Sequence, residues 1–138
     1  MNFTIYNTTT GQIIQSGFCF DISIQIIPDG CALLEIESDP LNQYIDNGQL
    51  INIPARPSLE HEFDYLSKSW VLNINSLKQN IINQRNNLLY KSDWTQLPNG
   101  PLTQQQQNQW VIYRQELRNI TTQSGYPTNI TWPIKPME

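Results

Sequence analysis

Thr103-Gln104-Gln105-Gln106-Gln107-Asn108-Gln109-Trp110-Val111-Ile112-Tyr113-Arg114-Gln115-Glu116-Leu117-Arg118 is the stretch that decides the fold. Thr103 and Gln106 have the spacing of a capping box, in which the threonine side chain takes an amide of the first turn and the glutamine reaches back to the cap amide. Trp110, Tyr113, Arg114, Leu117 and then Ile120 follow at spacings of three and four, which puts them on one stripe of a helix. Gly125 and Pro127 set a limit beyond which the helix cannot run.

Upstream, the link from Lys91 to Leu102 contains Pro98-Asn99-Gly100-Pro101, which forces a turn. A first helix is expected before it, with Ser76 as N-cap and its end near Tyr90. Leu77, Ile81, Leu88 and Leu89, with Ile82 and Arg85 alongside, give that helix its apolar face. Two amphipathic helices joined by a turn have one simple way to bury their stripes, an antiparallel hairpin. Downstream, the tail from Tyr126 to Pro136 is rich in proline and is expected to be extended. Trp132 is too apolar to stay in water, so it packs either onto the hairpin or onto a partner.

The first half carries a different period. Phe3 and Ile5 alternate with polar neighbours, and Asn7 to Gly11 is a turn cluster in which Gly11 suits a positive φ. Gln12 to Gly17 starts a second strand. Phe18, Phe20, Ile22, Ile24 and Ile26 then alternate with the period of a half-buried strand. Pro28-Asp29-Gly30 is a turn, and Cys31 to Glu37 a further strand. Asp46-Asn47-Gly48-Gln49 is a hairpin signal, and Pro54 and Pro57 stop the ladder. The pairs His61–Tyr65 and Trp70–Leu72 flank a short polar link and suggest a second hairpin. The expected class is α+β: a small antiparallel β domain over 1–57, a connector with a β-hairpin over 58–75, and the helical hairpin with its tail over 76–138.

Composition narrows the function. The chain has 138 residues, 38% of them apolar and only 14% charged. The mean hydropathy is −0.46, on the polar side for a globular protein, so a partner is expected to supply part of the stability. Asn and Gln, 15 of each, fill the place of charges. Residues 1–66 hold nine acids and one base, net −8, and residues 67–138 hold seven bases and three acids, net +4. That asymmetry can dock the two halves, steer an acidic partner to the second, or simply reflect solvated surfaces. There is no dense Lys/Arg stripe, so nucleic acid is not an expected partner. No apolar run is long enough for a membrane span, and the opening MNFTIYNTTTG has neither a basic segment nor an apolar run, so no secretory leader is expected.

Catalysis, cofactors and metals find no support in the residues. Cys19 and Cys31 are the only cysteines, read as free thiols, and with the single His61 they cannot complete a zinc site. Glu60, His61 and Glu62 are adjacent on a strand and point to opposite faces, so they do not converge. Asp93 has no second titratable group assigned to it and is read as capping a turn beside Trp94, a core anchor. Arg114 sits on the apolar stripe, where it can stack on a ring or pair with Asp93. Trp94, Trp110, Tyr113, Arg114 and Asp93 are therefore expected to hold the fold. Four Trp and six Tyr suit an interface as well as a core.

The order of short words from Arg85 to Pro136 resembles the phage tail assembly chaperone family. These are Arg85…Leu88-Leu89…Ser92-Asp93-Trp94-Thr95, then Trp110…Tyr113-Arg114-Gln115…Leu117-Arg118, then Pro127…Ile130…Trp132-Pro133…Pro136. The upstream residues match such proteins less specifically, through Asp46-Asn47-Gly48, Ile53-Pro54-Ala55-Arg56-Pro57 and an aromatic hairpin ending at Trp70. Two departures are the absence of an acid between Gln96 and Leu102 and Asn119 where many relatives carry Asp. The resemblance implies a protein that binds a phage tail-fibre or other tail protein in the host cytoplasm, aids its assembly, and either leaves or stays on the virion tail as an oligomer matching the fibre. Trp132, Pro133, Tyr126 and Ile130 are then the expected partner contacts. A permanent fibre or baseplate subunit is the competing reading, and a sugar-binding module a third; a glycosidase would need a carboxylate pair that the sequence does not suggest.

Overall fold

The computed structural model describes residues 1–137. It divides into two compact units, Met1–Val71 and the chain from Leu72 onward. The second hairpin thus falls mostly with the first unit.

The first unit is built around β1 (Asn2–Asn7), the middle strand of an antiparallel sheet with β2 (Ile13–Phe18) and β3 (Cys31–Leu34) in the order β2-β1-β3. The middle strand is hydrogen-bonded along both edges, and successive residues Phe3, Thr4 and Ile5 are buried on both of its faces. Phe3 and Ile5 enter a cluster with Cys19, while Thr4, also fully buried, donates through Oγ1 to the Ile36 carbonyl at 2.9 Å. The turn after β1 is held by Asn7, whose Oδ1 accepts from the amides of Thr9 and Thr10. Gly11 closes it at φ 71°, and a Cβ there would lie 1.9 Å from the Ile45 carbonyl oxygen, so only glycine lets this turn seat on the next hairpin. That hairpin is β4 (Gln43–Asp46) and β5 (Gln49–Asn52), with Asn47 and Gly48 at φ 49° and 77° between the paired Asp46 and Gln49. Strands β6 (His61–Asp64) and β7 (Ser69–Leu72) form another two-stranded sheet. Phe63 joins the hairpins, its ring 5.5 Å from that of Tyr44 and 5.4 Å from that of Trp70. Lys68 Nζ donates to the Thr10 carbonyl and lies 4.8 Å from the Tyr44 ring centre.

The alternating run from Phe18 to Ile26 is not a strand. β2 ends at Phe18, and Ile22–Ile24 is a single 3-10 turn capped by Asp21, whose Oδ1 accepts from both the amide and the hydroxyl of Ser23. A side chain that satisfies the backbone locally competes with ladder formation, and beyond Cys19, which exchanges hydrogen bonds with Met1, no neighbouring strand offers this segment a ladder. β3 likewise stops at Leu34, short of the expected Glu37.

The second unit holds α1 (Ile74–Lys91) and α2 (Gln104–Arg118). The α2 capping box at Thr103 and Gln106 is present in both directions. The cap of α1 is Asn73 rather than Ser76: Asn73 Oδ1 accepts from the Ser76 amide at 3.0 Å, so Ser76 belongs to the first turn. Trp110, Tyr113 and Leu117 form the core of this unit, packed against Leu88, Leu89, Leu102 and Trp132. The end of α1 meets the middle of α2. Beyond α2, a 3-10 turn covers Asn119–Thr122, a further turn spans 124–128, and 130–137 carry neither helix nor strand. The tail expected to be extended from Tyr126 therefore opens with a turn. Its closing bond runs from the Asn129 amide to the Gly125 carbonyl, and a Cβ at Gly125 would lie 1.9 Å from Asn129 O.

Candidate interaction surface

The residues singled out on the second unit converge on one place. Trp110 is 1% exposed and Leu117 and Ile120 are fully buried, as the stripe spacing requires. Arg114 crosses from α2 to the end of α1. Its Nη1 donates to the Leu89 carbonyl and to Ser92 Oγ, both at 2.7 Å, and its Nη2 pairs with Asp93 Oδ1 at 2.8 Å. A guanidinium thus adds a charged donor to the helix-end Leu89 carbonyl, which also accepts from the amide and hydroxyl of Ser92. Asp93 is 61% exposed at its side chain, so water screens this ion pair, and the buried bond to Ser92 and the part-buried bond to Leu89 matter more.

The aromatic residues stack around Trp110. The Trp94 ring lies 6.1 Å away and the Tyr113 ring 5.6 Å away, edge to face. Trp94 remains 37% exposed, a wall rather than a centre. Burial holds the Tyr113 hydroxyl above its ordinary pKa, with Lys135 pulling the other way. Trp110 Nε1 is buried with no hydrogen-bond partner among the described residues, a cost of about 1–3 kcal/mol that ring packing must exceed.

The tail folds back over this cluster. The Gln123 side chain donates to the Thr131 carbonyl at 2.8 Å and accepts from the Thr131 amide at 2.7 Å, imitating a neighbouring strand. Trp132 packs on the core, and Lys135 Nζ lies 5.6 Å from the Trp110 ring centre. Of the two destinations open to Trp132, the structure shows the intramolecular one. Pro133 lines a surface pocket of about 330 Å³ with Glu116, Asn119 and Gln123. Tyr126 and Ile130 are half-buried. Two large apolar side chains of the tail, Ile134 and Met137, are 91% and 89% exposed, and sequence reasoning did not single them out.

The remaining titratable groups are placed structurally. Ser58 Oγ lies 2.6 Å from Glu60 Oε2 and 2.8 Å from His61 Nδ1. A hydroxyl has one proton, so when it goes to the carboxylate the imidazole must be the donor, and the three residues knit the turn before β6. Among the described residues no three His, Cys, Asp or Glu side chains are grouped to hold a metal ion, and Cys19 and Cys31 are free thiols. No helix among the described residues is long and apolar enough to cross a membrane.

The first unit exposes what sequence reasoning had placed half inside. Phe18, Phe20, Ile24 and Ile26 are 67%, 95%, 70% and 88% exposed. The one signal against a strand was Asp21 followed two residues later by Ser23.

Residues 78–137 match the family model described as phage tail assembly chaperone protein. No curated protein and no solved structure matches the chain.

Proposed function

From the premise that residues 78–137 carry the signature of the phage tail assembly chaperone family, we propose that this protein binds a tail-fibre protein during assembly in the host cell and keeps it competent to form the fibre. The family match is the observation that carries this reading; it supplies a role in tail assembly and, with it, a tail protein as partner. The physics agrees with that role. Tail-protein strand edges left unpaired before assembly would aggregate unless covered. The protein acts by covering them and performs no catalysis.

Co-expression with the tail-fibre gene of the same phage tests the reading. The expected outcome is a rise in soluble fibre protein, with a defined complex by native mass spectrometry. Equal fibre yield with and without this chain, and no complex, would sink it. Persistence of the chain at fixed stoichiometry in purified virions would instead make it a permanent subunit of the tail.

A further inference from the structure

We infer that β2 and the apolar segment that follows it form a docking surface for an extended apolar segment of the partner protein flanked by lysine or arginine. The inference rests on the chaperone reading for the partner's nature as a protein, and on the first unit's geometry for everything else.

Ile14, Phe18, Phe20, Ile24, Ile26 and Ile27 are each between 47% and 95% exposed. Folded proteins rarely leave so many large apolar side chains together in water unless a partner covers them. The surface is ordered rather than frayed. The Phe18 and Phe20 rings meet edge to face at 5.9 Å, Cys19 donates its amide to the Met1 carbonyl, and Ile22 turns inward against the Phe3–Ile5 cluster. The apolar residues on either side of Ile22 are thereby held outward.

Two observations choose the occupant. β2 is the end strand of its sheet; β4 approaches its start at the Gln12–Tyr44 bridge, and no strand is paired along its outer edge among the described residues. An open edge selects extended backbone. Charge selects the flanks. The first unit holds nine acids against Arg56 and Lys68, and the two acids of this segment, Asp21 and Asp29, are both exposed. Asp21 lies inside the apolar segment and Asp29 just beyond it. Acids within and beside the segment attract cations and repel a second copy of it.

The surface lies outside the matched residues 78–137. The family-bearing unit and the unit that reads the partner are therefore different parts of the chain.

The test uses the full chain and short fluorescent peptides with an alternating Val/Thr centre, ended by lysines or by glutamates, read by fluorescence anisotropy. The lysine-ended peptide is expected to bind and to weaken as salt rises. The glutamate-ended peptide, a lysine-ended peptide broken by a central proline, and the double variant F20S/I26S should each lose about ten-fold or more. D29K should weaken the lysine-ended peptide and strengthen the glutamate-ended one, opposite shifts that misfolding could not produce. Binding indifferent to end charge, or undiminished in F20S/I26S with an unchanged melting temperature, would overturn the proposal. So would a wild-type dimer that F20S/I26S dissolves, since the face would then belong to a second copy. Failure of every peptide while co-expression still raises soluble fibre protein would remove this surface and leave the chaperone reading intact; failure of both would remove both.

Discussion

The stripe of α2 and the segment from Phe18 to Ile26 present the same kind of information, large apolar residues at a regular spacing, and reach opposite ends. Leu117 and Ile120 are fully buried, whereas Phe20 and Ile26 are almost fully in water. The difference lies in what each stretch finds opposite it. α2 meets Leu88, Leu89, Leu102 and Trp132. The 18–26 segment leaves an end strand, and only Cys19 and Ile22 of it turn toward the core of the unit. Periodicity reports which residues share a face, and burial needs a second face.

Substitution should make the contrast measurable. Leu117→Ala is expected to destabilise the second unit by about 2–5 kcal/mol, the range for a truncated core leucine, seen as a lowered midpoint in urea. Arg114→Ala should follow at about 2–3 kcal/mol, because it strips Ser92 Oγ and the Leu89 carbonyl of a charged donor. Asp93→Ala should cost about 1 kcal/mol or less, since that partner is largely solvated; equal losses at both positions would mean that the ion pair, not the helix-end contact, dominates.

Tyr113 gives a pH arm. Its folded pKa is raised by burial, so the folded state keeps the phenol proton that the unfolded chain sheds from about pH 10. Stability should be whole below that pH and fall as pH rises through the folded value. Tyr113→Phe should remove this component of the decline. The smallest effect belongs to the other region: Phe20→Ser should change stability by no more than about 0.5 kcal/mol, as at other surface positions. A larger loss would show that Phe20 belongs to the core of its unit after all.

What the sequence made legible was local. Thr103 with Gln106, Asn47 with Gly48, and Gly11 carry their geometry in their own side chains or lack of one, and each sits where its spacing placed it. The α2 stripe was legible because one helix supplies all of it. The cap of α1 was misplaced because Asn73 and Ser76 are nearly equal caps, and only the backbone distinguishes them. The exposure of 18–27 was hidden because it depends on which strands pair, a property of the sheet and not of the segment. Trp132 had two physically equivalent destinations in the sequence. The Gln123–Thr131 pairing that steers it spans eight positions and follows no periodic rule. The tail-assembly role came from the words between Arg85 and Pro136, and the family match falls on them.

Arg114 has a consequence in time as well as in energy. One side chain touches the last turn of α1 at Leu89, the Ser92 hydroxyl and the turn that begins at Asp93. These three pieces cannot fray one after another, as helix ends commonly do, without first releasing the same guanidinium. Their amides should therefore exchange with solvent at a common rate, as a single opening event, and the join between the helices should keep time with the helices themselves.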